Sequence, residues 1–386
     1  STASQGMLLG KEGGLLAATL RLPLVVNVGN RETNAPLSIH AGHTDVFQFR
    51  DDGWIQLFAR NSQEAYDLSI MGQKIAEKAK LPVFINQDGF IVTHTKDMLT
   101  TLPDKKVKEF IGENDYKEGL LFKDMTLNPI SLQNYYSEHV KHADNAQKLA
   151  IPIITDIMEE YSKISGRSYQ RIRTHNIENC EVAIVCLGST EGTVIDAIDR
   201  LSEKGIKAGM LSIKNFRPLP SIEIEEALQH VKVIIVMDRM GSLGTTISPM
   251  AMEIKAIMNR EVLNLEYGRG GRNTPRELIE YIFEIGVLLS DLNDYYVKDA
   301  IEYFIDEPEF FPLFVELESC VNSTFLHEFK NKLIEGQFIE AFGPREHIDV
   351  REKSRLRDIK LKIIRTLSEK VMAEKVTLTN GREKMH

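Results

Sequence analysis

The sequence predicts an α/β protein made of two doubly wound parallel-sheet domains followed by a mainly helical C-terminal extension. Three observations carry that prediction. Short apolar runs rich in β-branched residues recur at 22–28, 54–59, 81–85, 182–187, 208–213, 231–237 and 262–267, the pattern of strands buried on both faces. Helical patterns alternate with these runs, which places successive strands side by side in parallel. Near the end the apolar spacing changes to three and four among Lys, Arg and Glu, at Leu356, Ile359, Ile363, Leu367 and Val371. The 386 residues suffice for two or three domains. We place boundaries at 1–104, 105–172 (a connecting arm and helix), 173–286 and 287–386.

The 22–28 run stops at Gly29-Asn30-Arg31, and Pro36 keeps the next segment from turning helical. Arg31 is therefore expected at the carboxyl end of a central strand, the edge where ligands collect in open α/β sheets. A guanidinium there is a planar, permanently charged fork suited to a small carboxylate. The competing reading is a structural ion pair with a neighbouring carboxylate, and spacing alone favours it.

After the 54–59 strand, Asn61 stands at an N-cap position with Glu64 three residues on. Ala65, Leu68, Met71 and Ile75 form one buried helical stripe, so Met71 reads as core. The 81–85 strand ends in Asp88-Gly89-Phe90, completing a right-handed βαβ unit. Residues 96–150 lose periodicity and are punctuated by Pro103, Gly112, Gly119 and Pro129, which reads as an ordered arm passing over the surface. His139 and His142 there read as solvated rather than metal-bound, and His40 and His43 take the same reading. A helix over 151–165 closes at Gly166.

In the second unit the loop Gly188-Ser189-Thr190-Glu191-Gly192 opens a helix but lacks the G-x-G-x-x-G spacing of a dinucleotide site, and Glu191 would repel a pyrophosphate. A turn at 216–220, a helix from 221 and a helix opened by Gly241 to Gly244 follow. Thr274, Pro275 and Glu277 mark one more helix start. An acidic, aromatic-rich stretch over 291–318 then precedes the charged helical end, read as an assembly or capping element.

Composition narrows the function. A net charge of −9 and a pI near 5.7, with no basic stripe, exclude nucleic acid as a partner. No apolar run approaches the roughly 20 residues of a membrane span and no signal segment opens the sequence, so a cytoplasmic protein is expected. Cys180, Cys186 and Cys320 make no four-ligand cluster, so any iron–sulfur wiring belongs to another polypeptide.

Several short motifs follow one another in register. They are Thr2-Ala3-Ser4-Gln5-Gly6, Leu22-Pro23, Asn30-Arg31, Ala35-Pro36-Leu37-Ser38-Ile39, His43 with Asp45, and Arg50-Asp51 with Gly53-Trp54-Ile55-Gln56. Gln63-Glu64-Ala65, Asp88-Gly89-Phe90 and Thr93-His94 complete the series. In this order they resemble the pyrimidine-binding domain of the pyruvate:ferredoxin (2-oxoacid:acceptor) oxidoreductases. The resemblance runs on through Gly166-Arg167-Ser168-Tyr169 and Gly268-Arg269-Gly270-Gly271-Arg272, in a domain similar to the C-terminal domain of transketolases, and stops near residue 286.

The resemblance implies an alpha-type subunit, inert alone, for CoA-acylating oxidative decarboxylation of a 2-oxoacid, pyruvate first, or the reverse reaction. Coenzyme A accepts the acyl group and ferredoxin the electrons. Thiamine diphosphate and Mg2+ would be held mainly by a beta subunit, because the G-D-G…N-N signature is absent. Four-iron four-sulfur clusters would sit on partners, with gamma and ferredoxin-like delta subunits completing the complex. Arg31 matches the family's arginine for the substrate carboxylate. Asn30, His43 and Asp45 would shape its loop, and Ser4, Gln5 and Gly6 would lie beside the cofactor. The family's upstream strand, helix and strand, with a pyrimidine-binding glutamate and a substrate-side threonine, cannot be mapped here. The sequence therefore reads as part of a longer subunit or as one half of a split one. Many members have small or apolar residues after the arginine, whereas Glu32-Thr33-Asn34 follow here, which leaves the oxoacid open among pyruvate, branched-chain oxoacids, 2-oxoglutarate and oxalate. A non-catalytic scaffold paralogue and a transketolase-like enzyme without electron transfer are the alternatives.

Overall fold

Two sheets organise the chain, seen in a computed structural model that describes residues 1–33, 37–113, 124, 130–245 and 247–290. Helices α1 (Ser4–Leu9) and α2 (Lys11–Thr19) lead into β1 (Val25–Asn30); then follow α3 (Thr44–Phe47), β2 (Ile55–Ala59), α4 (Ser62–Ala79) and β3 (Val83–Asp88). β1, β3 and β2 lie in that order and are parallel. Helices α5 (Asp104–Ile111) and α6 (Tyr136–Ser165) pass to the second unit. It comprises β4 (Ile172–His175), β5 (Val182–Cys186), α7 (Thr190–Glu203), β6 (Ala208–Ile213), β7 (Asn215–Arg217), α8 (Ser221–Leu228), β8 (Val233–Asp238), α9 (Pro249–Met258), β9 (Leu263–Glu266) and α10 (Arg276–Ser290). The second sheet runs β4-β6-β5-β8-β9, parallel except for β4 at one edge.

The βαβ unit forms as its pattern predicts. Asn61 Oδ1 accepts from Glu64 N at 3.0 Å, and Glu64 Oε2 accepts from Arg60 N at 3.0 Å, so two N–H groups at the start of α4 are satisfied by side chains. Leu68, Met71 and Ile75 are fully buried against the parallel strands and α6. Lys80, in the left-handed region, ends the helix.

Three expectations give way to the structure. Residues 96–150 include α5 and the first half of α6, so the arm is largely helical at its two ends. Of the residues in α6 before position 151, only Ala146 and Ala150 are buried, which leaves no apolar stripe to read. Residues 215–217 form β7 rather than only a turn, because β7 pairs antiparallel with β2 and adds an edge strand to the first sheet. The loop at Gly241 to Gly244 does not begin a helix; α9 starts at Pro249, in the first helical position behind Ser248. Cys180 and Cys186 are buried free thiols, and burial pushes Cys180 up to about 11. The 287–386 extension, apart from the end of α10, lies outside the described residues, as do Cys320 and the 356–371 stripe.

Charge joins the two units. Lys214 Nζ reaches Glu64 Oε2 at 2.7 Å in the first unit and Glu191 Oε2 at 2.5 Å in the second. Arg60 and Arg173 also reach Glu191, at 3.1 and 3.3 Å. Glu191 is thus neutralised inside the protein, and its carboxyl is held below the usual range because Lys214 outweighs its burial. It faces the other unit rather than a phosphate.

Candidate functional site

β1 and β3 end side by side, with Asn30 opposite Asp88, and the polar groups of the first unit gather there. Gly89 is needed at this point: a Cβ would lie 2.7 Å from Asn30 O. Asn30 is buried and its Nδ2 donates to Asp45 Oδ1 at 3.1 Å and to Asn86 Oδ1 at 3.3 Å. Asp45 sits in the first turn of α3. Its Oδ2 accepts from Ser4 N and Arg31 N, both at 3.1 Å, and its Oδ1 from Val46 N at 2.7 Å. Burial raises its pKa against those donors. Ser4 Oγ donates to Glu32 O at 2.7 Å, which ties the N-terminal segment to the Arg31 loop.

Arg31 leaves the strand end half-buried. Its Nη2 donates to Gln5 Oε1 at 3.1 Å and its Nη1 to Ser38 O at 3.3 Å. Both acceptors are neutral, and among the described residues no carboxylate pairs with this guanidinium. The carboxylate next in sequence is taken elsewhere. Glu32 Oε1 accepts from Arg269 Nε at 3.1 Å, while its Oε2 accepts from Arg269 Nη2 at 3.4 Å and Thr44 Oγ1 at 3.0 Å. The structural ion pair that spacing alone favoured thus falls on Glu32, one residue on.

His43 Nε2 bonds Asp88 Oδ1 at 2.7 Å, with both side chains buried. Because a carboxylate only accepts, Nε2 carries a proton. The ring stacks on Phe47 and meets Phe58 edge-on. Asp88 Oδ2 accepts from Ser189 N at 2.9 Å and Ser189 Oγ at 2.5 Å, and Arg239 stands 3.9 Å away. Burial acts to raise the Asp88 carboxyl, but the charges of Arg239 and His43 outweigh it and hold the group below the usual range. His43 N donates to Arg239 O at 3.2 Å and Gly271 N to Ala41 O at 3.0 Å, so the second unit closes over the loop of the first.

Ser4, Gln5, Asn30, Arg31, His43 and Asp45 therefore meet around the end of β1. Gly6 lies in α1, where a Cβ would approach Thr2 Oγ1 to 3.0 Å. His139 and His142 are exposed on α6, and no group of three His, Cys, Asp or Glu side chains among the described residues could hold a metal. The arginines of the Gly268–Arg272 turn read as interface or ion-pair residues, and Arg269 is one, pairing with Glu32 across 237 residues; what pattern reading missed is that Ser189 and Arg239 reach Asp88 from the second unit. Asp88 and His43 both lay in motifs and Ser189 in the Gly188 loop, but no local pattern joined them.

Two family models match the chain: "Pyruvate flavodoxin/ferredoxin oxidoreductase, thiamine diP-bdg" over residues 1–159, and "Pyruvate:ferredoxin oxidoreductase core domain II" over residues 180–279. The chain belongs to the 2-oxoacid:ferredoxin oxidoreductase family and is of its alpha-subunit type. It is 36% identical over 293 residues to pyruvate synthase subunit PorA of Thermotoga maritima, covering 74% of each chain. PorA of Methanocaldococcus jannaschii is 36% identical over 280 residues, covering 71% of this chain and 72% of that one. Among solved structures, 2-oxoglutarate:ferredoxin oxidoreductase from Magnetococcus marinus shares the fold, with a TM-score of 0.53 at 17% identity over 74% of this chain and 52% of that chain.

The first match is to a thiamine diphosphate-binding domain, and the residues here fit one part of that cofactor. Gln5 Nε2, Asn30 Oδ1, Asn86 Nδ2 and His43 Nδ1 are buried with unused hydrogen-bonding capacity at the strand edge. Amide groups and an imidazole nitrogen suit a heterocycle and a keto acid rather than a diphosphate.

Proposed function

We propose that this chain is the alpha-type subunit of a pyruvate:ferredoxin oxidoreductase complex. The complex would convert pyruvate, coenzyme A and oxidised ferredoxin to acetyl-CoA, CO2 and reduced ferredoxin, or run the reverse. The observation that carries this reading is Arg31, a guanidinium at the carboxyl edge of the sheet that meets only neutral acceptors among the described residues, in a chain similar to PorA subunits.

In this reading Arg31 grips the substrate carboxylate. Gln5 and Ser38 aim the fork, and Asp45 fixes its backbone through the Arg31 N–H. Asn30 and Ser4 lock Asp45, and His43 with Asp88 anchors the start of α3. The grip orients the keto carbon and neutralises the acid end until CO2 departs. Thiamine diphosphate, when bound, supplies the carbon nucleophile and the electron sink. Gln5 Nε2, Asn30 Oδ1, Asn86 Nδ2 and His43 Nδ1 are the groups at this edge, among the described residues, with capacity to hold its ring system. Mg2+ and the diphosphate are assigned to a beta subunit, and the 4Fe–4S clusters to partner subunits, with gamma and delta chains and ferredoxin completing the path. Leu37, Ile39, Phe90 and Ile91, exposed beside the Arg31 loop, support a partner seated at this edge.

A branched-chain 2-oxoacid is the second reading. It is favoured by 35% identity over 251 residues to ketoisovalerate oxidoreductase subunit VorA of Pyrococcus horikoshii, covering 63% of each chain. Methyl-viologen reduction by the assembled complex, with coenzyme A and a panel of 2-oxoacids, tests both. We expect the highest kcat/KM with pyruvate. A maximum with a branched-chain oxoacid would install the second reading, and no reduction with any 2-oxoacid would remove both.

A further inference from the structure

The Glu32–Arg269 pair has no place in the mechanism so far, yet it lies one residue from the substrate arginine. Glu32 is nearly buried, and removing its partner would leave a carboxylate with a single neutral donor, Thr44 Oγ1. A buried charge without a counter-charge is costly, and a cation within reach would relieve it. Among the described residues the cation adjacent in sequence is Arg31, whose fork meets only neutral acceptors and so offers an attractive partner. The Glu32 carboxylate packs directly over Gly42, where a Cβ would stand 2.7 Å from its carboxyl carbon.

The second unit supplies the counter-charge on a turn shaped to reach it. Gly268, Gly270 and Gly271 all have positive φ, which brings the backbone of the turn flat against the loop. Gly271 N donates to Ala41 O, and a Cβ on Gly271 would collide with His40. Gly270 faces Ser38, whose carbonyl holds Arg31 Nη1.

We propose that Arg269 is a positioning residue for the substrate site: it takes up the Glu32 carboxylate, so that the neighbouring Arg31 stays available to the carboxylate of the 2-oxoacid. The inference rests on the assignment of Arg31 above. It makes the affinity of the first unit for its substrate depend on a cation carried by the second.

The test uses the assembled complex and separates KM from kcat. Arg269→Ala is expected to raise KM for the 2-oxoacid about five- to tenfold, the scale of a partly screened charge contact, with kcat changed by less than about twofold. Adding Glu32→Gln to Arg269→Ala removes the competing charge and returns KM to within about twofold of the parent. Arg269→Lys keeps a cation without the fork and stays within about threefold. An unchanged KM in Arg269→Ala overturns the proposal. So does a double variant as impaired as the single one, or an Arg269→Lys as impaired as Arg269→Ala, since either would assign the effect to packing of the turn. Arg31→Ala is measured alongside: if that variant keeps the parental KM, the assignment of Arg31 itself has failed, whatever Arg269 does.

Discussion

Replacing Asp67 by Ala is expected to destabilise the first unit by about 3–5 kcal/mol, the cost of breaking one side of a buried ion pair. Asp67 lies on α4 with no exposed surface. Arg167 grips it with Nε and Nη2, both at 2.7 Å, Tyr161 OH donates at 2.6 Å, and Tyr169 OH donates as well. Gln63 Nε2 adds a bond at 3.1 Å. One carboxylate thus collects donors from α4, from α6 and from the segment after it. Arg167 and Tyr169 belong to the Gly166–Tyr169 motif, which the structure shows to be the clasp that fixes α6 against the first sheet. Loss of the carboxylate strands a guanidinium and two buried hydroxyls at once. Thermal unfolding reads the effect as a fall in Tm of about 6–20 °C, at about 2–4 °C per kcal/mol for a unit of this size. Asp67→Asn should lose nearly as much, because its NH2 faces the guanidinium as a fifth-wheel donor. A Tm within about 2 °C of the parent would show that the clasp contributes little.

The second large effect concerns pH. Asp238 ends β8 fully buried. Its Oδ2 accepts from Met250 N at 2.8 Å and Ala251 N at 3.4 Å at the start of α9, while Oδ1 has no partner among the described residues. Burial pushes its carboxyl up to about 7; the backbone bonds oppose the shift, Glu266 adds to it and Arg50 works against it. An unfolded aspartate ionises near 3.9, so between about pH 4 and 7 the folded protein keeps a proton that the unfolded chain has lost. The folded state is favoured below that window and loses the advantage as pH rises through it. At about 1.4 kcal/mol per unit the loss reaches the order of 4 kcal/mol. Asp238→Asn stays neutral and should flatten the fall in stability between pH 4 and 7, leaving the variant more stable than the parent at pH 8. Parallel unfolding curves for parent and variant across that range would contradict the assignment.

What the sequence revealed follows the range of the interactions. Strands such as 208–213 are short, apolar and buried on both faces, and their bounds match the structure residue for residue. The start of α4 is written in two residues three apart, Asn61 and Glu64, and forms as written. Arg31 was legible as a cation at a strand end because a β-branched run, a glycine and a proline frame it. Its freedom from a carboxylate was not legible. That depends on Arg269, 237 residues from Glu32, and no local pattern links the two. The first half of α6 was hidden for a different reason: it buries only two alanines and leaves the rest exposed or half-buried, so helix and polar arm look alike. β7 escaped because three residues become a strand only when β2 lies beside them.

The central claim is that Arg31 holds the acid end of the substrate, and one ratio tests it most directly: kcat/KM for the preferred 2-oxoacid in the assembled complex carrying Arg31→Ala, relative to the parent. A charge-assisted hydrogen bond of about 1.5–3 kcal/mol predicts a loss of about ten- to a hundredfold, with Arg31→Lys in between because it keeps the charge and loses the fork. A ratio within about twofold, in a complex that assembles normally, would contradict the claim and return Arg31 to the role of a surface cation at the end of β1.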